Sequence, residues 1–564
     1  MKRCCLFLAA LLFGHSSALA VPTVNDPSLS VTQLVSGLSS PTTMAFIGAG
    51  DILVLQKNNG QVRRVLNGVL QGSPVLDLDV SNDSERGLLG IALHPNFSAN
   101  HLVYLYFTES STDGGSPTFN RVVHYTWDGN NLANQQPIIN LPATPGGPNH
   151  DGGIILFGPD GKLYVVIGDL NRNGKLQNNG AGADADDTSV ILRLNDDGST
   201  PADNPFIGSA GFEKYFAYGI RNSFGMAFDP VSGKLWITHN GPDSYDEIDL
   251  VERGINSGWN KIMGPDGRDP QNQSDLFQIP GSHYADPKFS WFNTVGPTGI
   301  AFLNSTALGA QYENDVFVGD VNNGNLYLFP VNGARNGFVL TGGLADKVAD
   351  NSSELNQVIF GTGFNGITDL KVGPDGFLYV VSIGAGAIYV IRPAGPTFGV
   401  LSLPNGEVGL AYDVDLNIGG GTPPYDVTVI KGKLPDGLDP VGESLCGLPT
   451  AAGTSLFTLQ VRDGDQALAT KNFKIKVFKA LNITTSSLKA GKVNKPYNAT
   501  LKANRGKKPF TWSHTGTLPA WATLNPATGK ITGTPSGVET TDVTFQVTDT
   551  LGATDEKSLT ITID

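Results

Sequence analysis

Cysteine is scarce in this chain: three residues in 564, and two of them, Cys4 and Cys5, lie near the start. Without the first twenty residues only Cys446 remains, which excludes an intrachain disulfide framework and leaves stability to buried apolar area. No His/Cys cluster with metal spacing occurs, so zinc sites of the finger or protease type are not expected. Positive charge is also in short supply. The chain carries 38 Lys and Arg against 52 Asp and Glu, a net charge of −14. Scattered charge with an acidic balance makes a poor nucleic-acid partner. Beyond residue 20 no apolar run is long enough to span a bilayer, and no segment sustains a helical period.

What is present begins with a leader. Lys2 and Arg3 precede the apolar run Leu6 to Phe13, and Ser17-Ala18-Leu19-Ala20 forms a small-x-small cleavage site before Val21. Residues 1–20 therefore read as a secretory signal peptide, and the mature chain as secreted, periplasmic or displayed at the cell surface. Cys4 and Cys5 precede the apolar run instead of following it, which argues against a lipoprotein anchor. Seventy glycines fit a turn-dense all-β chain.

One short unit recurs. Ala45-Phe46 leads into Asp51 to Leu55, Ala92 to Pro95 into Leu102 to Tyr106, and Leu156 to Pro159 into Lys162 to Val166. Ala227 to Pro230 leads into Lys234 to Ile237, Ala301-Phe302 into Asp315 to Val318, and Leu370 to Gly376 into Phe377 to Val381. Each is an apolar strand, a turn rich in Pro, Asp or Gly, and a β-branched or aromatic strand, which is hairpin chemistry. Six copies spaced roughly 45 to 75 residues apart predict a six-bladed β-propeller over residues 21–393.

After Pro396, Pro404, Pro423 and Pro424 two related segments follow. Gly447-Leu448-Pro449 precedes Phe457 to Asp463, and Gly533-Thr534-Pro535 precedes Val543 to Asp549, at the same proline-to-aspartate distance. Their alternation predicts half-buried strands and two small β-sandwiches, residues 394–478 and 479–564. They resemble the immunoglobulin-type, cadherin-like repeats that exported bacterial proteins append to enzymes and adhesins, for which the resemblance implies spacing, adhesion or glycan contact. The junction Lys479-Ala480-Leu481-Asn482 lacks the acidic cluster of a cadherin calcium site.

Propellers bind ligands on the loops at the mouth of the channel. Four segments compete for that place: Glu85 to Phe97, the glycine-rich turn Asn149-His150-Asp151-Gly152-Gly153, Tyr218 to Ala227, and His239 to Trp259. Together they resemble the soluble glucose/sorbosone dehydrogenase family, six-bladed quinoproteins that oxidise sugars with pyrroloquinoline quinone (PQQ) and calcium. The resemblance implies that His150 is the general base for a sugar's anomeric hydroxyl while hydride passes to the quinone C5. It implies cofactor contacts at Glu85, Asn149, Arg172, Arg221 and Asn222, with Arg221 also polarising the quinone oxygen. It implies Ca²⁺ ligands at the Gly241 and Pro242 carbonyls, and a second, structural ion at Glu247. The family's carboxylate-gripping lysine and arginines fall here on Asn322, Gly366 and Thr368, and its glutamine on Glu85. Arg172, Lys175 and Arg221 are the cations left to replace them. The expected partners are a small sugar or glycan and an electron acceptor. The alternative is a non-catalytic propeller that binds glycans or a cell-surface protein, a role linked to the hedgehog-interacting-protein-like branch through Glu85-Arg86-Gly87-Leu88-Leu89.

Overall fold

The computed structural model describes residues 21–143, 147–268, 272–421, 423–464 and 468–564; the expected signal peptide lies outside them. The described chain divides into two compact units, up to Arg392 and from Pro393 onward.

The first unit holds six blades, antiparallel through their first three strands and each opening on an innermost strand: Pro41–Gly48, Leu88–Leu93, Ile155–Phe157, Gly225–Phe228, Pro297–Phe302 and Ile367–Val372. The six hairpins read from the sequence are the first two strands of each blade, in register at Ala45↔Leu53, Ala92↔Tyr104, Leu156↔Tyr164, Ala227↔Trp236, Ala301↔Phe317 and Leu370↔Val380. The sixth blade takes its outer strand from the other end of the chain: Leu29–Val35 pairs with Ala387–Pro393. That pairing closes the ring, and Arg392 ties it by donating to Thr32 Oγ1 at 2.6 Å. Blade faces pack on one another, so strands such as Leu163–Ile167 are buried along their whole length. This is why they read as unbroken apolar runs and not as alternation.

All innermost strands enter the channel from the same end, and that end holds the turns before Leu88–Leu93, Ile155–Phe157 and Gly225–Phe228 and the loop after Leu235–His239. At the opposite end a cavity of about 580 Å³ is lined by Phe46, Leu93, Phe157, Phe228, Pro230 and Lys371.

The second unit contains two sandwiches with separate cores. Leu416, Leu445, Leu459 and Ile475 centre the first, and Ile531, Phe545, Ile561 and Ile563 the second. The strands Gly453–Arg462 and Glu539–Thr548 contain the two predicted alternating segments. The junction's carboxyls do not come from the linker. Glu407, parallel-paired beside Phe478, accepts the Leu481 amide at 2.6 Å. Asp549, from the turn after Glu539–Thr548, reaches Glu407 from the second sandwich. Glu407 is 1% exposed. Burial and then the neighbouring Asp549 push its carboxyl up to about 7. Against its own burial, Asp549 is held low by the Lys507, Leu551 and Ala553 amides and the Glu407 contact.

A carboxyl whose folded pKa is raised contributes fully below its unfolded pKa and loses that contribution as pH rises through the folded value. The second unit is therefore expected to lose on the order of 2 kcal/mol between pH 5 and 8 from this group. Glu407→Gln should flatten that slope in denaturant titrations of the whole chain; an unchanged slope refutes the assignment.

Candidate active site

His150 stands on the turn entering the third blade, with a left-handed backbone at φ 66°. Its Nδ1 lies 2.6 Å from Asp169 Oδ1, at the top of the neighbouring strand. The other oxygen of Asp169 accepts the Trp259 indole N–H at 2.7 Å. Asp169 thus holds the imidazole by one nitrogen and leaves Nε2 as the nitrogen available for proton transfer. A methyl at Gly168 would lie 2.4 Å from His150 O and 2.5 Å from Arg221 O, so only glycine lets these segments meet.

Arg221 is half-buried. Its guanidinium sits over the Trp259 ring, 5.4 Å from the centroid, and Nη1 donates to Asn240 O at 3.1 Å. Burial lowers its pKa, opposed by Asp169 and Glu85, and the guanidinium remains a fixed cation. Glu85 Oε2 accepts both the His150 amide at 2.5 Å and Asn222 Nδ2 at 3.0 Å. Asn149 Oδ1 accepts from Ser84 Oγ at 2.6 Å. Five of the residues singled out in the sequence, Glu85, Asn149, His150, Arg221 and Asn222, therefore meet at one mouth.

The remaining expectations fall differently. Arg172 is paired with Asp186, and Lys175 with Asp184, so both cations already have carboxylate partners. Gly241 lies buried and donates its amide to Asp246 Oδ1 at 2.8 Å, while Pro242 is exposed. Glu247 faces inward, 2% exposed, beside two groups that the sequence reading did not count as ligands. His239 Nδ1 is 3.0 Å from Glu247 Oε2 and 3.2 Å from Asp249 Oδ2, and the three form one buried cluster. His239 Nε2 accepts the Arg221 amide at 2.8 Å, which places the ring proton on Nδ1, facing the carboxylates. Glu247 Oε1 accepts Gly264 N at 2.5 Å, and Oε2 shares the single Nδ1 proton of His239 with Asp249 Oδ2. Burial, and then the Asp249 charge, push the Glu247 carboxyl up to about 8.

Sequence reasoning gave no role to Asp169, Trp259, His239 or Asp249. The signal for His239 and Asp249 was present in the hairpin: His239 pairs with Glu247, and Asp249 falls two residues on, on the same face.

A closed ring of six blades with a histidine–carboxylate pair and a stacked arginine at its mouth defines a propeller of the sugar-dehydrogenase class. The chain belongs to the Glucose / Sorbosone dehydrogenase family, whose profile matches residues 38–390, and the Ig-domain profile He_PIG matches residues 480–564. It is 28% identical over 394 residues to the aldose sugar dehydrogenase YliI of Escherichia coli K12, covering 68% of this chain and 96% of that protein. It is 30% identical over 251 residues to quinoprotein glucose dehydrogenase B of Acinetobacter calcoaceticus, covering 41% of this chain and 52% of that protein. A solved glucose dehydrogenase superposes with a TM-score of 0.52 at 25% identity, over 64% of this chain and 98% of its own.

The residues present fit a quinone at its carbonyl end, where a guanidinium, an amide and a base converge. Asn322, Gly366 and Thr368 carry no charge where the family has cations for the quinone's carboxylates, and of the cations left Arg172 and Lys175 are paired with Asp186 and Asp184, while Arg221 stacks on Trp259. Buried carboxylates need compensating charge.

Proposed function

We propose that this chain is an exported aldose dehydrogenase of the quinoprotein type, using PQQ and Ca²⁺ and passing electrons to a separate acceptor. The observation that carries this reading is the His150–Asp169–Trp259 chain with Arg221 stacked on the same indole. Bound at this mouth, the quinone supplies a hydride acceptor. The protein's own residues do the rest. His150 Nε2 takes the proton of the anomeric hydroxyl as the C–H bond breaks, and Asp169 stabilises the imidazolium that forms. Arg221 and Asn222 orient the acceptor, with the guanidinium placed to offset developing negative charge. Glu85 fixes the backbone of the base and the amide of Asn222 together. The export part of the reading rests on the leader in residues 1–20.

Dye-linked oxidation of a panel of aldoses by the chain reconstituted with PQQ and Ca²⁺ tests it. Turnover of at least one aldose, abolished by omitting PQQ, is the expected result. No oxidation of any aldose, with no calorimetric PQQ binding, refutes it. The pairing of Arg172 and Lys175 with aspartates favours a second reading, a propeller that binds glycans or a cell-surface protein without chemistry. Glycan or protein binding in the absence of quinone binding would support that one.

A further inference from the structure

Beneath the His150 turn lies a charge pair that the reaction as described does not use. Asp151 is 0% exposed and Arg86 1%. Arg86 Nε sits 3.8 Å from Asp151 Oδ1, and Arg86 Nη2 donates to Gly147 O at 2.8 Å. Asp151 Oδ1 also accepts Asn120 Nδ2 at 2.9 Å, and its backbone oxygen accepts the Tyr106 hydroxyl at 2.9 Å. Thr108 Oγ1 in turn donates to Asn120 Oδ1 at 2.6 Å. The strands of the second blade therefore hold the residue that follows the base.

The geometry is reciprocal across two turns. Glu85 N donates to Pro148 O at 3.1 Å, and Glu85 Oε2 accepts the His150 amide. Arg86 reaches Gly147 on one side of His150 and Asp151 on the other. The backbones approach closely enough that a methyl at Gly90 would lie 2.1 Å from Gly153 O. A buried ion pair is a costly way to join two turns, since apolar residues of similar volume usually stabilise as well or better. The pair itself is a 3.8 Å contact of charges; the directional links around the base are the hydrogen bonds of Arg86 Nη2 to Gly147 O, of Asn120 Nδ2 to Asp151 Oδ1 and of the His150 amide to Glu85 Oε2. Burial pushes the Asp151 carboxyl up to about 6, while Asn120, Arg86 and His150 draw it down and Glu85 raises it further. Lys57 is the other cation facing this group.

We propose that Arg86 and Asp151 are positioning residues for His150: the buried pair locks the turn that carries the base, so that its loss lowers turnover and leaves sugar affinity in place. The inference rests on the dehydrogenase reading, but its structural half can be read without activity. Two variants, Asp151→Asn and Arg86→Gln, are compared with the full chain. Amide hydrogen exchange across Gly147–Gly153, measured without cofactor, should speed up at least tenfold in both, with the strands Leu163–Ile167 and Leu235–His239 unchanged. In the chain reconstituted with saturating PQQ, kcat should fall at least tenfold, with sugar KM within twofold. In a His150→Ala background the same substitutions should lower kcat no further, because they act through the base.

Unchanged exchange in the turn, or exchange raised evenly across the propeller, overturns the proposal, as does a loss of kcat that persists undiminished in the His150→Ala background. A wild-type chain that oxidises no sugar but shows the local exchange result would refute the dehydrogenase reading and leave the lock standing.

Discussion

Replacing His150 with alanine is expected to lower kcat by about 10²- to 10⁴-fold, the usual range for loss of a positioned general base. PQQ affinity, read by calorimetry, should stay within a few-fold, because the proposed reading assigns the cofactor's guanidinium and amide contacts to Arg221 and Asn222. Asp169→Asn should produce a smaller but still large loss. Its amide cannot stabilise an imidazolium as a carboxylate does, and Trp259 Nε1 loses a charged acceptor. Equal turnover in wild type and His150→Ala would remove the base from this site, and the aldose reading with it.

The fold was legible because its repeating unit is local. Each hairpin of the propeller lies within about twenty residues, and its turn residues and paired strands announce it without tertiary information. The meeting of His150, Arg221 and Asn222 was legible for a related reason: each sits just before an innermost strand, and all such strands enter from one end. What the sequence did not reveal was everything that depends on a second chain segment. His150 and Asp169 are joined through a hairpin of the third blade, and Trp259 arrives from the long connection between Asp246–Val251 and Phe289–Trp291 of the fourth. Arg172 was a free cation in the sequence reading and is a paired one in the fold, because the Asp186 that neutralises it lies further along the same loop. The junction carboxyls followed the same pattern. Glu407 and Asp549 are far apart in sequence, so a search of the linker for acidic residues could not find them.

Removing calcium is expected to have the largest effect on stability. Glu247 lies buried next to Asp249, and one His239 proton faces both carboxylates. In the absence of a cation the folded chain favours the protonated form of Glu247. The raised folded pKa means that this group's contribution is complete below about 4.5 and is lost as pH rises through about 8. A divalent cation replaces that proton, so chelation should matter more at pH 8 than at pH 6. At a hundredfold excess over Kd the cation adds roughly 3 kcal/mol, a shift of several degrees in the melting midpoint of the first unit. Glu247→Gln should remove most of the difference between melts with Ca²⁺ and with chelator. Hard oxygen ligands favour Ca²⁺, whereas zinc would have to displace the Nδ1 proton of His239 before that nitrogen could bind it. A Ca²⁺ effect that survives in Glu247→Gln would place the ion at the Gly241 and Pro242 carbonyls alone. Identical melts in Ca²⁺ and chelator at both pH values would reduce the Gly241–Glu247 segment to a turn.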